Sequence, residues 1–165
     1  MKEIDVNAPI IPYEGLGGIK LYSTREELKD ILSLSDVTSR IVYDWIEYNI
    51  QDKIALTFHS KNDKLLRIST LCNYKGKLFD KVKVGMTEEE LVTAEPSFVY
   101  DDFQEVWISN KGIVVETDPE TNEVIWIAVY IPNPEWGSAD FEKGNWQNPF
   151  FTLQIAIAVC RVFFI

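Results

Sequence analysis

The chain has 165 residues, of which 46% are hydrophobic, 13% aromatic and 25% charged, and its net charge is −10. This length is typical of one domain, and this apolar content excludes an intrinsically disordered chain. The negative charge disfavours nucleic acid and anionic membranes as partners, because phosphate binding depends on Lys and Arg. We therefore expect a single folded domain over residues 1–165.

The cysteines and the amino terminus indicate the compartment. Cys72 and Cys160 lie far apart and match no CxxC or zinc spacing. Residues 1–7 carry acidic side chains and lack the apolar core of a secretory signal. These features predict a reduced, cytoplasmic protein without a cofactor.

The carboxyl-terminal residues 149–165 are very apolar but include Gln154 and Arg161. The apolar stretch is shorter than the ~20 residues that a membrane-spanning helix needs. We expect a terminal element buried within the chain. A membrane or partner contact, or a cloning or reading-frame artefact, is the alternative.

The first half of the chain begins with a glycine-rich turn at Gly15, Gly17 and Gly18. Ser23 and Thr24 are each followed three positions later by Glu, which is the signature of a capped helix start. The pattern predicts a helix over residues 24–32. β-rich stretches follow at 40–50, 53–59 and 65–72, of which the last two predict a hairpin around a polar turn.

The second half repeats this order. Thr87 with Glu90 predicts another capped helix, over 87–94, which Pro96 ends. Strand-like stretches follow at 103–109, 113–117 and 123–131. Turn residues separate these stretches.

The two halves can be aligned, the helices at an offset of 63 residues and the hairpins at 59. This alignment indicates a tandem duplication of about 19–72 and 82–131. It predicts an α+β fold in which tandem helix-plus-antiparallel-hairpin repeats form one sheet with helices on one face. Alternatively, the units look alike because both obey the same capping and turn chemistry.

The negative charge is concentrated in the second unit. Residues 82–132 carry 11 acidic and 2 basic side chains, whereas residues 1–81 carry 12 of each and 133–165 carry 3 acidic and 2 basic. Such a surface favours a cationic partner. A solvated acidic face that maintains solubility is the alternative.

Aromatic residues interleave with these acids, as on recognition surfaces for basic proteins. They could instead fill the core. The residues predicted to contact a partner are Tyr100, Asp101, Asp102, Glu105, Trp107, Asp118, Glu120 and Trp126.

The sequence has no complete catalytic motif. His59 is the only histidine, and its place at a strand end predicts a solvent-facing side chain rather than a catalytic relay. The glycine triplet lacks a preceding strand and a Walker lysine, and no acidic run matches an EF-hand. We expect a protein that is not an enzyme, with a small carboxylate-dependent hydrolase as the less favoured alternative.

Residues 82–91, with Gly85-Met86-Thr87 before a Glu-rich helix, resemble the start of the BamE-like (SmpA/OmlA) domain family. In the first unit Tyr22-Ser23-Thr24 stands at that place, a departure from the motif. Duplication of such a unit resembles the beta-lactamase inhibitory protein family, whose tandem repeats form a sheet that receives a target enzyme. No lipoprotein signal is seen, so the resemblance implies a protein-binding scaffold without the outer-membrane role.

A small acidic protein on this scaffold also resembles bacterial immunity proteins, many of whose toxin targets are basic nucleases. The resemblance implies a non-catalytic inhibitor that occludes the active site of a cationic toxin domain. A generic interaction module without a toxin is the alternative.

Overall fold

The computed structural model describes residues 3–131. In chain order its elements are β1 (Gly15–Leu16), β2 (Ile19–Lys20), α1 (Lys29–Leu32), β3 (Val37–Val42), β4 (Trp45–Ile50), β5 (Ile54–His59), β6 (Leu65–Thr70), α2 (Glu88–Ala94), β7 (Val99–Asp101), β8 (Val106–Ser109), β9 (Ile113–Thr117) and β10 (Val124–Tyr130). The expected terminal element at 149–165 lies outside the described residues.

Strands β3 to β10 form one eight-stranded antiparallel sheet in the order β3-β4-β5-β6-β10-β9-β8-β7. The first half, α1 with β3–β6, and the second half, α2 with β7–β10, each run as a meander of four strands. Their last strands, β6 and β10, pair at the centre of the sheet. As a result, β3 and β7 are the two edge strands.

The expected α+β fold of helix-plus-hairpin repeats is wrong, because the described chain is mostly β-sheet with two short helices. The stretch 40–50, predicted as one β-rich segment, folds back at Tyr43–Asp44 and belongs to two strands. A strand that the sequence did not predict, β7, adds the other edge. Pairing between strands, rather than helix packing, therefore forms most of the structure.

Both predicted helix starts form their capping contacts, but only the second is followed by a regular helix. Thr87 caps α2 with a complete capping box, in which its Oγ1 accepts from Glu90 N at 3.2 Å. Thr24 makes the corresponding contact with Glu27, but α1 begins only at Lys29. The predicted helix over 24–32 is therefore mostly turns, because a cap satisfies the first amides without ensuring that a regular helix follows.

One face of the sheet carries the core. Ile54, Leu56 and Phe58 alternate along β5 and are fully buried, as period-two side chains on a covered face should be. Leu28 and Leu91, on the two helical segments, join the same cluster. The helices and the β1–β2 hairpin therefore cover this face, and the opposite face carries the alternate residues.

The amino-terminal segment ties the sheet together. The hydroxyl of Tyr74 donates to Ala8 O at 2.7 Å and accepts from Gly17 N at 2.8 Å. Tyr13 donates to Asn110 O at 2.6 Å, in the β8–β9 turn of the second half. The ring of Tyr13 lies where a Cβ on Gly112 would stand, and Gly112 has a φ of 72°, so this contact requires glycine.

Candidate functional site

Three connections of the second half meet at one end of the sheet. Trp107 near the start of β8 pairs with Val115 near the end of β9, so the β7–β8 and β9–β10 turns lie at the same end. The start of α2 joins them, because the N–H of Glu88 donates to Asn122 O at 2.9 Å. We call this region the acidic end; its carboxylates are Glu88, Glu89, Glu90, Asp101, Asp102, Glu105, Asp118, Glu120 and Glu123.

Two of these carboxylates build the turns. Asp101 accepts from the backbone N–H groups of Gln104 at 3.0 Å and Phe103 at 2.9 Å, and these bonds hold its pKa below the usual range. Asp118 accepts from Glu120 N at 2.8 Å in the other turn. Both are Asx turns, so these two predicted site residues shape the loops that present the others.

Of the remaining carboxylates of the acidic end, Glu90 accepts from Thr87 N at 2.8 Å in the capping box of α2, and the others form no ion pair with a described residue. Lys111, one of the two bases of the second half, pairs instead with Glu95 at 3.3 Å. The negative charge of this end is therefore not neutralised by ion pairs among the described residues.

Carboxylates from the helix and from the β7–β8 turn lie near the hydroxyl of Tyr100. Partial desolvation, followed by the carboxylates of Glu105, Asp102 and Glu88, raises the pKa of its hydroxyl. Helix and turn carboxylates thus act on the same ring, which is 41% exposed.

Apolar side chains stand beside the charges. Phe103, at the tip of the β7–β8 turn, is 96% exposed, and Val99 is 69% exposed. The sequence predicted Phe103 as the first residue of a strand-like stretch and not as a contact residue, although its neighbours Asp102 and Gln104 are polar; β8 in fact begins at Val106. The ring of Trp107 lies 5.1 Å from that of Tyr100, centroid to centroid, with the two planes tilted by 59°, and Trp107 also packs on the core. Trp107 therefore supports Tyr100 from below and is less available for a partner.

Trp126 is not part of this arrangement. The adjacent Ile127 pairs with Val115 of the core, whereas Trp126 pairs with Glu116, so strand alternation places Trp126 on the opposite face of the sheet. There the guanidinium of Arg67 lies 4.7 Å from the centre of its ring. The structure therefore brings together the predicted residues of the two turns and Tyr100, and separates Trp126 from them.

The expectation for His59 is wrong. The residue is only 1% exposed, and its Nδ1 accepts from Lys61 N at 3.3 Å. A strand end does not by itself expose a side chain, because the side chain projects from a sheet face that other segments can cover. Among residues 3–131 no group of three or more His, Cys, Asp or Glu side chains is placed to hold a metal ion. None of the helices in that range has the length and apolarity that crossing a membrane requires.

An open depression of about 410 Å³ lies beside α2. Its lining combines two acids with two bases: Lys81, Lys83, Glu89 and Glu90. Because Glu89 and Glu90 belong to the acidic end, the depression overlaps it, and no histidine or cysteine lines the depression.

No protein-family model matches the chain, and no curated protein matches it. Among solved structures, a cysteine-rich secretory protein of Staphylococcus aureus is similar, with 13% identity, a TM-score of 0.47, and coverage of 86% of this chain and 54% of that one. The chain thus spans about half the length of that protein. The BamE-like resemblance of residues 82–91 stays a prediction.

Proposed function

We propose that this chain is a non-catalytic, cytoplasmic inhibitor of the immunity type, which occludes a basic cleft of a toxin domain with its acidic end. The observation that supports this proposal is the set of carboxylates from three connections that have no counter-ion among the described residues. A surface with this charge attracts a cationic partner and repels nucleic acid.

The shape of the acidic end suits a cleft. Its two hairpin turns project from the end of the sheet, and Phe103 stands on one of them among acidic neighbours. Long-range charge accelerates encounter, whereas buried aromatic anchors slow dissociation. We therefore assign steering to Asp102, Glu105 and Glu120, and anchoring to Phe103 and Tyr100.

The proposal is tested with the protein encoded beside this chain's gene, where an immunity partner is expected. Replacing Asp102, Glu105 and Glu120 by Lys should lower the association rate roughly tenfold or more at low salt, and the difference should shrink as salt screens the charges. Cells that express the neighbouring protein should lose protection. The matched control replaces Glu26, Asp30 and Asp36, exposed acids of the first half, by Lys.

The aromatic anchor has its own control. Phe103→Ala should raise the dissociation rate while leaving the association rate unchanged, and Tyr43→Ala, in the corresponding turn of the first half, should change neither. Binding without protection would favour the generic interaction module instead. Equal losses from the two charge-reversal sets would contradict the role of the acidic end.

A further inference from the structure

The edge strand β3 is long, regular and exposed. It pairs with β4 over six consecutive residue pairs without a bulge, and within residues 3–131 nothing pairs with its outer side. Ile41 is 75% exposed, and Val42 and Tyr43 beside it are exposed as well. An edge of this kind presents unpaired backbone N–H and C=O groups together with apolar side chains.

Proteins usually protect such edges with proline, with charged side chains, with bulges or by keeping the strand short. β3 contains no proline, and its one charged residue, Arg40, is ion-paired with Glu47 of its own hairpin at 2.5 Å. The other edge, β7, has only three residues and leads into Asp101 and Asp102. The two edges therefore differ: β7 is protected by its length and charge, and β3 is not.

We propose that β3 pairs antiparallel with β3 of a second copy of this chain, about a twofold axis perpendicular to the sheet. A second copy offers the same unprotected edge, and the charge of the first half permits the two to meet. Residues 1–81 have no net charge, so two first halves can meet without repulsion. The pairing also places the two acidic ends in the outer halves of one continuous sheet, away from the shared edge and accessible to their partners.

The pleat determines the register. Residues opposite each other in an antiparallel pair have their side chains on the same face of the sheet. The twofold axis must therefore lie midway between the two copies of one residue, which are opposite each other. An axis at Arg40 would bring two guanidinium groups together, a destabilising like-charge pair. An axis at Ser39 pairs Val37 with Ile41 of the partner subunit, and Thr38 with Arg40 of the partner subunit, over five residues.

The test is the oligomeric state of the full chain, measured by sedimentation over a concentration series. The wild type should form a dimer, and Ile41→Lys should make it monomeric without changing its circular dichroism or melting temperature, because Ile41 is exposed. Val99→Lys, the same type of change on the edge strand β7, should leave the dimer intact. A monomer at every concentration, or a dimer that Ile41→Lys leaves unchanged, would overturn the proposal.

A cross-link tests the register. In a chain with Cys72 and Cys160 replaced by Ser, Ser39→Cys should form an intermolecular disulfide under mild oxidation, since opposite residues of an antiparallel pair lie within disulfide reach. Thr38→Cys, which keeps Arg40 and lies opposite Arg40 of the partner subunit in this register, should link much more slowly. Faster linkage through Thr38→Cys would overturn the register that we propose.

Discussion

The two halves of the sheet share a backbone frame but differ in the charges on it. In the first half Tyr22 N donates to Leu65 O at 2.8 Å, and in the second Gly85 N donates to Val124 O at 2.8 Å. These pairs stand at the offsets of 63 and 59 residues read from the sequence. The sequence alignment and the backbone hydrogen bonds therefore coincide, whereas the origin of the halves by duplication stays a prediction.

The turns continue the match. Asp63 N donates to His59 O at 2.9 Å, and Asn122 N donates to Asp118 O at 2.7 Å, each at the offset of 59. Asp63 and Asn122 both have positive φ, near 60°, a conformation that Asn and Asp tolerate well. The same turn chemistry thus ends β5 and β9.

The side chains at matched positions of the two halves differ in charge. In the first half Arg25 pairs with Asp63, and Lys61 pairs with Asp44 at 2.8 Å. The positions matched to these bases in the second half hold Glu88 and Glu120. Caps and turns constrain the backbone, whereas exposed side chains do not. The second half can therefore carry an acidic surface on the same pattern of backbone hydrogen bonds as the first half.

The largest effect should come from the matched buried leucines. Leu28→Ala and Leu91→Ala should each lower the free energy of unfolding by about 2–5 kcal/mol, because each removes a fully packed side chain from the shared core. Chemical denaturation measures both. The exposed Val92→Ala is the control and should cost much less; a small cost at only one leucine would show that the halves are not packed alike.

The next largest loss of stability should come from the contacts that Tyr74 makes with the amino-terminal segment. Tyr74→Phe should cost about 1–3 kcal/mol, because Ala8 O and Gly17 N lose a buried partner. Thermal and chemical unfolding of the two proteins measures this cost. No loss of stability would mean that the segment is held by other contacts.

Tyr74 also predicts a pH dependence. Burial raises the pKa of Tyr74 to about 12 from the ordinary 10.0, so the folded state favours the neutral hydroxyl. This contribution to stability is fully present below pH 10 and is lost as the pH rises towards 12. The pKa values of Tyr100 and Tyr130 are raised as well, so a spectroscopic titration should show several late-ionising tyrosines, of which Tyr74→Phe removes the component near pH 12.

The caps should give a smaller effect that differs between the halves. Thr87→Ala should cost about 1 kcal/mol, because the amide of Glu90 loses its acceptor at the start of a regular helix. Thr24→Ala should cost less, since turns rather than a regular helix follow it. Denaturant midpoints of both variants decide the order, and a larger cost at Thr24 would contradict it.

The smallest effect should follow from exchanging charges at matched positions. Arg25→Glu should cost up to about 1 kcal/mol, because it removes a half-exposed ion pair with Asp63. Glu88→Arg should change stability little, because it relieves repulsion within the acidic end but places a positive charge at the N-terminus of α2. Salt should reduce both differences, and salt-independent values would show that charge is not the cause.

Several local features were predictable because they depend on neighbouring residues. The helix over 87–94 begins one residue later than expected, and the predicted hairpin strands at 53–59 and 65–72 appear as β5 and β6 with shifts of one or two residues. Capping boxes, turn residues and alternation act over a few positions. The acidic composition of the second half was equally visible.

Other features depend on contacts between distant segments. Nothing in the sequence indicated that Val99–Asp101 would form an edge strand, because its partner β8 determines its pairing. His59 was expected to face solvent at a strand end, yet it is 1% exposed. Trp126 looked like a partner of Tyr100, but the register of β10 directs it to the other face.

The sequence alone determined where the chain turns and caps, where the sheet strands alternate, and which half carries the negative charge, since each follows from local chemistry or counting. Only the tertiary structure decided that pairing of eight strands dominates the fold, that the two acidic turns and the start of α2 share one end, and that Phe103 projects there while Trp126 does not. Strand order and register depend on long-range pairing, which local preference does not specify.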